Sequence, residues 1–213
     1  MTFAAAALAV ALAASPGPVQ AATDASGLSL AELTAIEMVS GYLNDIRTMQ
    51  GGFTQTAPDG QTTEGRFFIE RPGRMRFDYA LPSHLTVISD GYWVAVQDRQ
   101  LKTTERYPLS TTPLRMFLSD EVDLLADTKV IAVDPDDDNR VSITVQDPSN
   151  RAEGTLTLYF DPVENQLQSW IVSDAQGLDT YVEFRNIVRG EPIDSDYFLI
   201  IEDTTIDVGE GRH

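Results

Sequence analysis

The chain has 213 residues, a formal net charge of −18 and no cysteine. With 33 acidic against 15 basic side chains it lacks the clustered cations that displace counterions from nucleic acid, and anionic membrane surfaces repel it. Without thiols it forms no disulfide and has no cysteine to carry a lipid anchor, so packing alone is expected to hold the fold together.

Residues 1–21 hold an uncharged apolar run from Phe3 to Ala14, too short to span a bilayer, followed by a Pro/Gly break and small residues up to Ala21. This pattern predicts a secretory signal peptide cut after Ala21, and a bacterial periplasm as the destination. Residues 22–213 fit one domain of a size that buries a core. Ser29 and Glu32 form a Ser-x-x-Glu capping box, which starts a helix. Leu30, Leu33, Ile36, Val39, Leu43, Ile46 and Met49 recur at three- and four-residue steps as one apolar stripe, and Gly51-Gly52 is expected to stop the helix.

Strands dominate from there. Phe53–Ala57, Glu64–Arg71, Arg74–Tyr79, Leu85–Ser89, Tyr92–Gln97 and Leu101–Arg106 are separated by turn residues. Residues 108–127 break the pattern: Thr112 is placed as an N-cap and Pro113 as the first position of a short apolar helix containing Leu114, Met116, Phe117 and Leu118. Strands resume at Val130–Val133, Val141–Val145, Gly154–Phe160, Gln168–Ser173 and Thr180–Val188, with a last one near Tyr197–Ile201. Short strands at regular spacing without βαβ alternation predict a mainly β, α+β fold. It is a single curled antiparallel sheet covered by one long N-terminal helix and one or two short ones.

Catalytic chemistry is not expected. His84 and His213 are the only histidines, so no His-rich metal cluster is predicted, and there is no G-x-S-x-G, P-loop or G-x-G-x-x-G. Asp134, Asp136 and Asp138 have the spacing that begins an EF-hand loop. The required sixth-position glycine is Asn139, however, and the twelfth-position glutamate is Val145. A solvated hairpin turn is the expectation there, and no metal or other cofactor is predicted.

The stretch "GRFFIERPGRMRFDYALP" (65–82) places Phe67, Ile69 and Arg71 on one side of a strand, and Met75, Phe77 and Tyr79 on one side of the next. An arginine is almost never fully buried unless paired. Arg71 either reaches water from the strand end, or stands at the mouth of an apolar cavity and donates to carbonyls of a covering segment through its five-donor fork.

The chain resembles the LolA family of periplasmic outer-membrane lipoprotein carriers. The likeness runs from the first helix to the C-terminus, on "FTQ" (53–55), "EGRFFIERPGRMRFDY" (64–79), "VISDG" (87–91) after Pro82, and Thr112-Pro113. Arg71-Pro72 followed by alternating apolar residues and Ser-Asp-Gly is its most specific landmark. The resemblance implies an unclosed β-barrel with a helical lid over a hydrophobic cavity. It implies that Arg71 latches the lid through backbone carbonyls, and that Leu114, Met116, Phe117 and Leu118 belong to the lid. Phe67, Ile69, Met75, Phe77, Tyr79, Leu85 and Val87 would form the acyl-chain wall. The implied partners are acylated lipoproteins, an inner-membrane ABC-type release complex and an outer-membrane acceptor, with the protein acting as a monomer. A regulatory protein of the same fold, sensing a lipid or lipoprotein, is the alternative; an unrecognised lipid-processing enzyme is disfavoured by the missing nucleophile and base.

Overall fold

A computed structural model describes residues 27–135 and 140–201. The expected leader at 1–21, and Asp136, Asp138 and Asn139 of the acidic run, lie outside the described residues. Among the described residues no helix is long and apolar enough to cross a membrane.

Helix α1 (Leu30–Asp45) starts where the capping box places it. The Ser29 amide donates to Glu32 Oε2 at 2.6 Å, and the Glu32 amide to Ser29 Oγ at 3.3 Å. Its buried face is Ile36, Val39, Tyr42 and Leu43. The helix ends earlier than the apolar stripe suggests, because Ile46 is already extended and Met49 lies in strand β1 (Thr48–Thr56). Gly51 and Gly52 sit inside that strand and do not stop the helix. A Cβ on Gly51 would meet the Arg185 carbonyl oxygen at 2.6 Å, and the β1–β11 register slips between Gln50 and Gly52. The glycine is there because a neighbouring backbone comes close at a bulge.

Ten more strands follow: β2 (Thr62–Glu70), β3 (Arg74–Tyr79), β4 (Leu85–Asp90), β5 (Trp93–Asp98), β6 (Thr103–Pro108), β7 (Lys129–Pro135), β8 (Val141–Gln146), β9 (Thr155–Asp161), β10 (Gln166–Ser173) and β11 (Asp179–Arg189). They form one antiparallel sheet in the order β6-β5-β4-β3-β2-β1-β11-β10-β9-β8-β7. β6 and β7 are consecutive in the chain yet lie at opposite edges, so the sheet does not close. The segment joining them carries a 3₁₀ turn (Leu109–Thr111), α2 (Leu114–Phe117) and α3 (Leu124–Asp127). Thr112 does not cap α2 with its side chain; its hydroxyl donates to the Leu109 carbonyl at 3.0 Å, and Pro113 is the flanking residue.

The sheet is strongly curled. Phe77 on β3 and Trp170 on β10 are four strand positions apart, about 19 Å in a flat sheet at the usual strand spacing, yet their ring centroids lie 5.9 Å apart. The concave face is packed by aromatic rings meeting edge to face, including Phe67–Phe184 at 4.8 Å, Trp170–Phe184 at 4.8 Å and Phe117–Trp170 at 5.1 Å.

The strand expected near Tyr197–Ile201 does not form. Residues Ser195–Phe198 make a 3₁₀ turn capped by the Asp194 carboxylate, which accepts from the Asp196 amide. This segment lies on the convex face: Tyr197 packs on Phe68, Arg74 and Arg76 stack over Phe198 and Tyr197, and Gln97 donates to the Ile201 carbonyl at 2.7 Å. Adjacent residues Tyr197 and Phe198 both turn to the same surface, which a pleated strand forbids.

Candidate functional site: an apolar hollow beside a short helix

The turn between β2 and β3 is the structural junction. Arg71, at 4% exposure, sends its guanidinium inward between α1 and the α2 segment. Its Nε and Nη2 donate to the Ser119 carbonyl at 3.0 and 2.6 Å. Its Nη1 donates to the Leu43 carbonyl, and to that of Ile46 at 3.4 Å. The last turn of α1 carries no basic residue of its own, so Arg71 supplies the cation that its free carbonyls favour. Burial, with the nearby Arg47 charge, lowers the guanidinium pKa to about 10, partly offset by Asp120, and it stays cationic at neutral pH. The backbone joins in: the Gly73 amide donates to the Leu118 carbonyl at 2.8 Å. Gly73 has φ +77, and a Cβ there would meet Gly91 Cα at 2.6 Å, so the turn requires glycine.

A second tie reaches α2 from the other half of the sheet. Arg115 Nη2 donates to Asp147 Oδ1 at 2.6 Å. Asp147 is 0% exposed and also accepts from the amides of Ser149, Arg151 and Ala152 and the Ser149 hydroxyl. Burial pushes its carboxyl up, but these donors outweigh burial and hold it well below the usual carboxylate range.

Beneath Leu114 lies an apolar hollow of about 190 Å³. Met75, Phe77, Tyr79 and Val87 line it from β3 and β4, and Trp170, Val172 and Val182 from β10 and β11. Gln55 and Thr180 stand in the same wall, and Tyr79 Oη donates to Gln55 Oε1 at 2.6 Å. Burial raises the Tyr79 phenol to about 12, with the Gln55 hydrogen bond opposing, so the hydroxyl stays protonated.

The remaining residues expected in the wall sit elsewhere. Phe67 and Ile69 are packed into the core, because Phe77 and Phe184 fill the space over Phe67, and Leu85 is half-buried at the start of β4 opposite Asp98. Met116, Phe117 and Leu118 are buried beneath the α2 segment, with Phe117 against Trp170.

The sequence model for "Outer membrane lipoprotein carrier protein LolA" matches residues 44–200. The chain belongs to the LolA family. An outer-membrane lipoprotein carrier protein of Methylococcus capsulatus is 27% identical over 193 residues, covering 86% of this chain and 91% of its own. One of Halorhodospira halophila is 27% identical over 197 residues, covering 86% and 89%. The crystal structure of a LolA superfamily protein from Nitrosomonas europaea aligns at 10% identity and a TM-score of 0.42, covering 78% of this chain and 98% of that one. Within this LolA-family chain, the β10–β11 side of the hollow and the Arg115–Asp147 tie are the parts that sequence reasoning missed. Alternation within each strand signals a face but not which distant strand curls over to meet it. Arg115, in a short helix among apolar neighbours, was the one available signal for the second tie.

Proposed function

We propose that the protein is a periplasmic carrier that shields the acyl chains of lipoproteins and takes them from the inner to the outer membrane. Its catalytic apparatus is none; its ligand is hydrocarbon. The observation that carries this is an apolar hollow bordered by Leu114 of a short helix, with Ser119 just beyond that helix held by hydrogen bonds from Arg71. Membership of the LolA family and the names of the relatives support it.

The physics fits the task. Each methylene hidden from water is worth about 0.8 kcal/mol, so a cargo with two or three chains exposes tens of kcal/mol of apolar surface and does not cross water alone. A hollow of about 190 Å³ is little larger than the ~150 Å³ cavity that accepts benzene. The hollow as described is therefore too small for two or three acyl chains, and loading requires it to widen. Arg71 is the latch in this reading: its bonds to Ser119 hold the roof through contacts worth about 1–3 kcal/mol each, weak enough to exchange for cargo contacts. Residues 22–213 act as one carrier domain after removal of a leader. The partners are an inner-membrane ABC-type release complex and an outer-membrane acceptor, and the working unit is a monomer.

Native mass spectrometry of protein purified from its own periplasm tests this. Acylated lipoprotein in the hollow, absent after enzymatic delipidation of the cargo, is the expected result. Retention of delipidated cargo would point to a peptide sensor, and protein with neither would overturn the carrier reading.

A further inference from the structure

The hollow is apolar except for Gln55 and Thr180, with the Tyr79 hydroxyl beside Gln55. Gln55 lies on the concave side of β1, two residues beyond the buried Phe53 and paired with Val182 of β11. Gln55 is half-buried, and once a guest covers it a primary amide is costly unless both of its ends find partners. One end has its partner: Gln55 Oε1 accepts from Tyr79 Oη at 2.6 Å. The Tyr79 ring is itself fixed edge-on against Phe53, centroids 5.1 Å apart, so the hydroxyl is a positioned donor. With Oε1 engaged, the amide nitrogen is the free end of a side chain that lines the hollow, and among the described residues it donates to no protein group. A pure hydrocarbon tail cannot use that donor. The carbonyl at the head of a fatty-acyl chain can, and it would otherwise be buried without a partner.

We infer that Gln55, oriented by Tyr79, is a polar binding point for the ester carbonyl of a fatty-acyl chain whose tail enters the hollow. This rests on the carrier reading and adds to it a chemical preference: acyl esters over alkyl chains of equal length. Tyr79 is the positioning residue, and its neutral hydroxyl keeps the arrangement constant across physiological pH.

The fatty-acyl ester has two natural sources, a diacylated lipopeptide and a diacyl phospholipid, and both belong in the test. The probes are a dipalmitoyl lipopeptide and dipalmitoylphosphatidylcholine, each beside its dialkyl-ether analogue, which lacks the carbonyls. Affinities are measured by fluorescence competition on the wild type, Gln55→Leu, Gln55→Glu and Tyr79→Phe. The wild type is expected to favour at least one ester over its ether by about fivefold, the worth of one net hydrogen bond; the probe that shows the preference names the source. Gln55→Leu and Gln55→Glu, which remove the donor, should abolish the preference for ester over ether. Tyr79→Phe should reduce it. No ester preference in the wild type, or equal loss of ester and ether binding in Gln55→Leu, overturns the role of Gln55 and leaves the carrier reading standing. Failure of the wild type to bind any of the four probes overturns both.

Discussion

Arg115 of α2 and Asp147, in the turn between β8 and β9, meet at 2.6 Å, in the other half of the sheet from the β2–β3 turn that carries Arg71. The helix over the hollow is thus held by two guanidinium contacts of different kinds. Arg71 reaches from the wall to carbonyls of the roof segment, whereas Arg115 reaches from the roof to a buried carboxylate. The Asp147 end is preorganised, because backbone amides of Ser149, Arg151 and Ala152 hold the carboxylate in place whether or not Arg115 is present.

The Asp147 carboxyl ties stability to pH. Its pKa is depressed in the folded protein relative to the ordinary value of 3.8, so the stability it contributes is complete above that value and is lost as pH falls below it. Asp147→Asn should melt below the wild type at pH 7, and calorimetry from pH 7 down to pH 2 should show the gap narrowing once pH drops below 3.8. A gap constant across that range would contradict the assignment.

Arg71→Leu should leave the domain folded but strip donors from the Leu43 and Ser119 carbonyls. A loss of about 2 kcal/mol in urea unfolding is expected. Amide hydrogen exchange should accelerate in Leu114–Ser119, and lipoprotein hand-over in a reconstituted transfer assay should fall. Wild-type exchange rates in that segment would remove Arg71 from its latching role.

Val87→Phe fills the hollow from β4 without adding a charge. Displacing even two methylenes of a bound chain, each worth about 0.8 kcal/mol, weakens acyl binding about tenfold. Stability should change by no more than about 1 kcal/mol, since vacant space receives the ring. Titration with a fluorescent fatty acyl probe, alongside a thermal melt, separates the two effects.

Gly51→Ala places a methyl group against the Arg185 carbonyl, 2.6 Å from an ideal Cβ, where β1 and β11 join the two halves of the sheet. A loss of about 2 kcal/mol or more is expected in chemical denaturation. An unchanged midpoint would mean that the bulge relaxes freely.

Much of the architecture was legible because local chemistry and global fold agree. The Ser29–Glu32 box starts α1, and Arg74–Tyr79 alternates so cleanly that β3 has the expected bounds. Gly51-Gly52 misled because a glycine pair after an apolar stripe looks the same whether it ends a helix or admits a neighbouring strand; only the position of Arg185 decides. Phe67 and Ile69 share the concave face with Phe77, but parity gives the side and not the depth, and Phe184 from β11 covers Phe67. Trp170 and Val182 were out of reach for a related reason: they face β3 only once the sheet has curled. At the C-terminal end, Tyr197 and Phe198 read as strand by composition. The Asp194 cap and two arginine stacks on the outer surface hold them in a turn.

The open seam between β6 and β7 has a mechanical corollary. These outermost strands are the two anchor points of the segment that roofs the hollow. Any spread of those edges is therefore transmitted to that segment through both of its ends. The width of the sheet and the position of that segment are linked by chain connectivity itself.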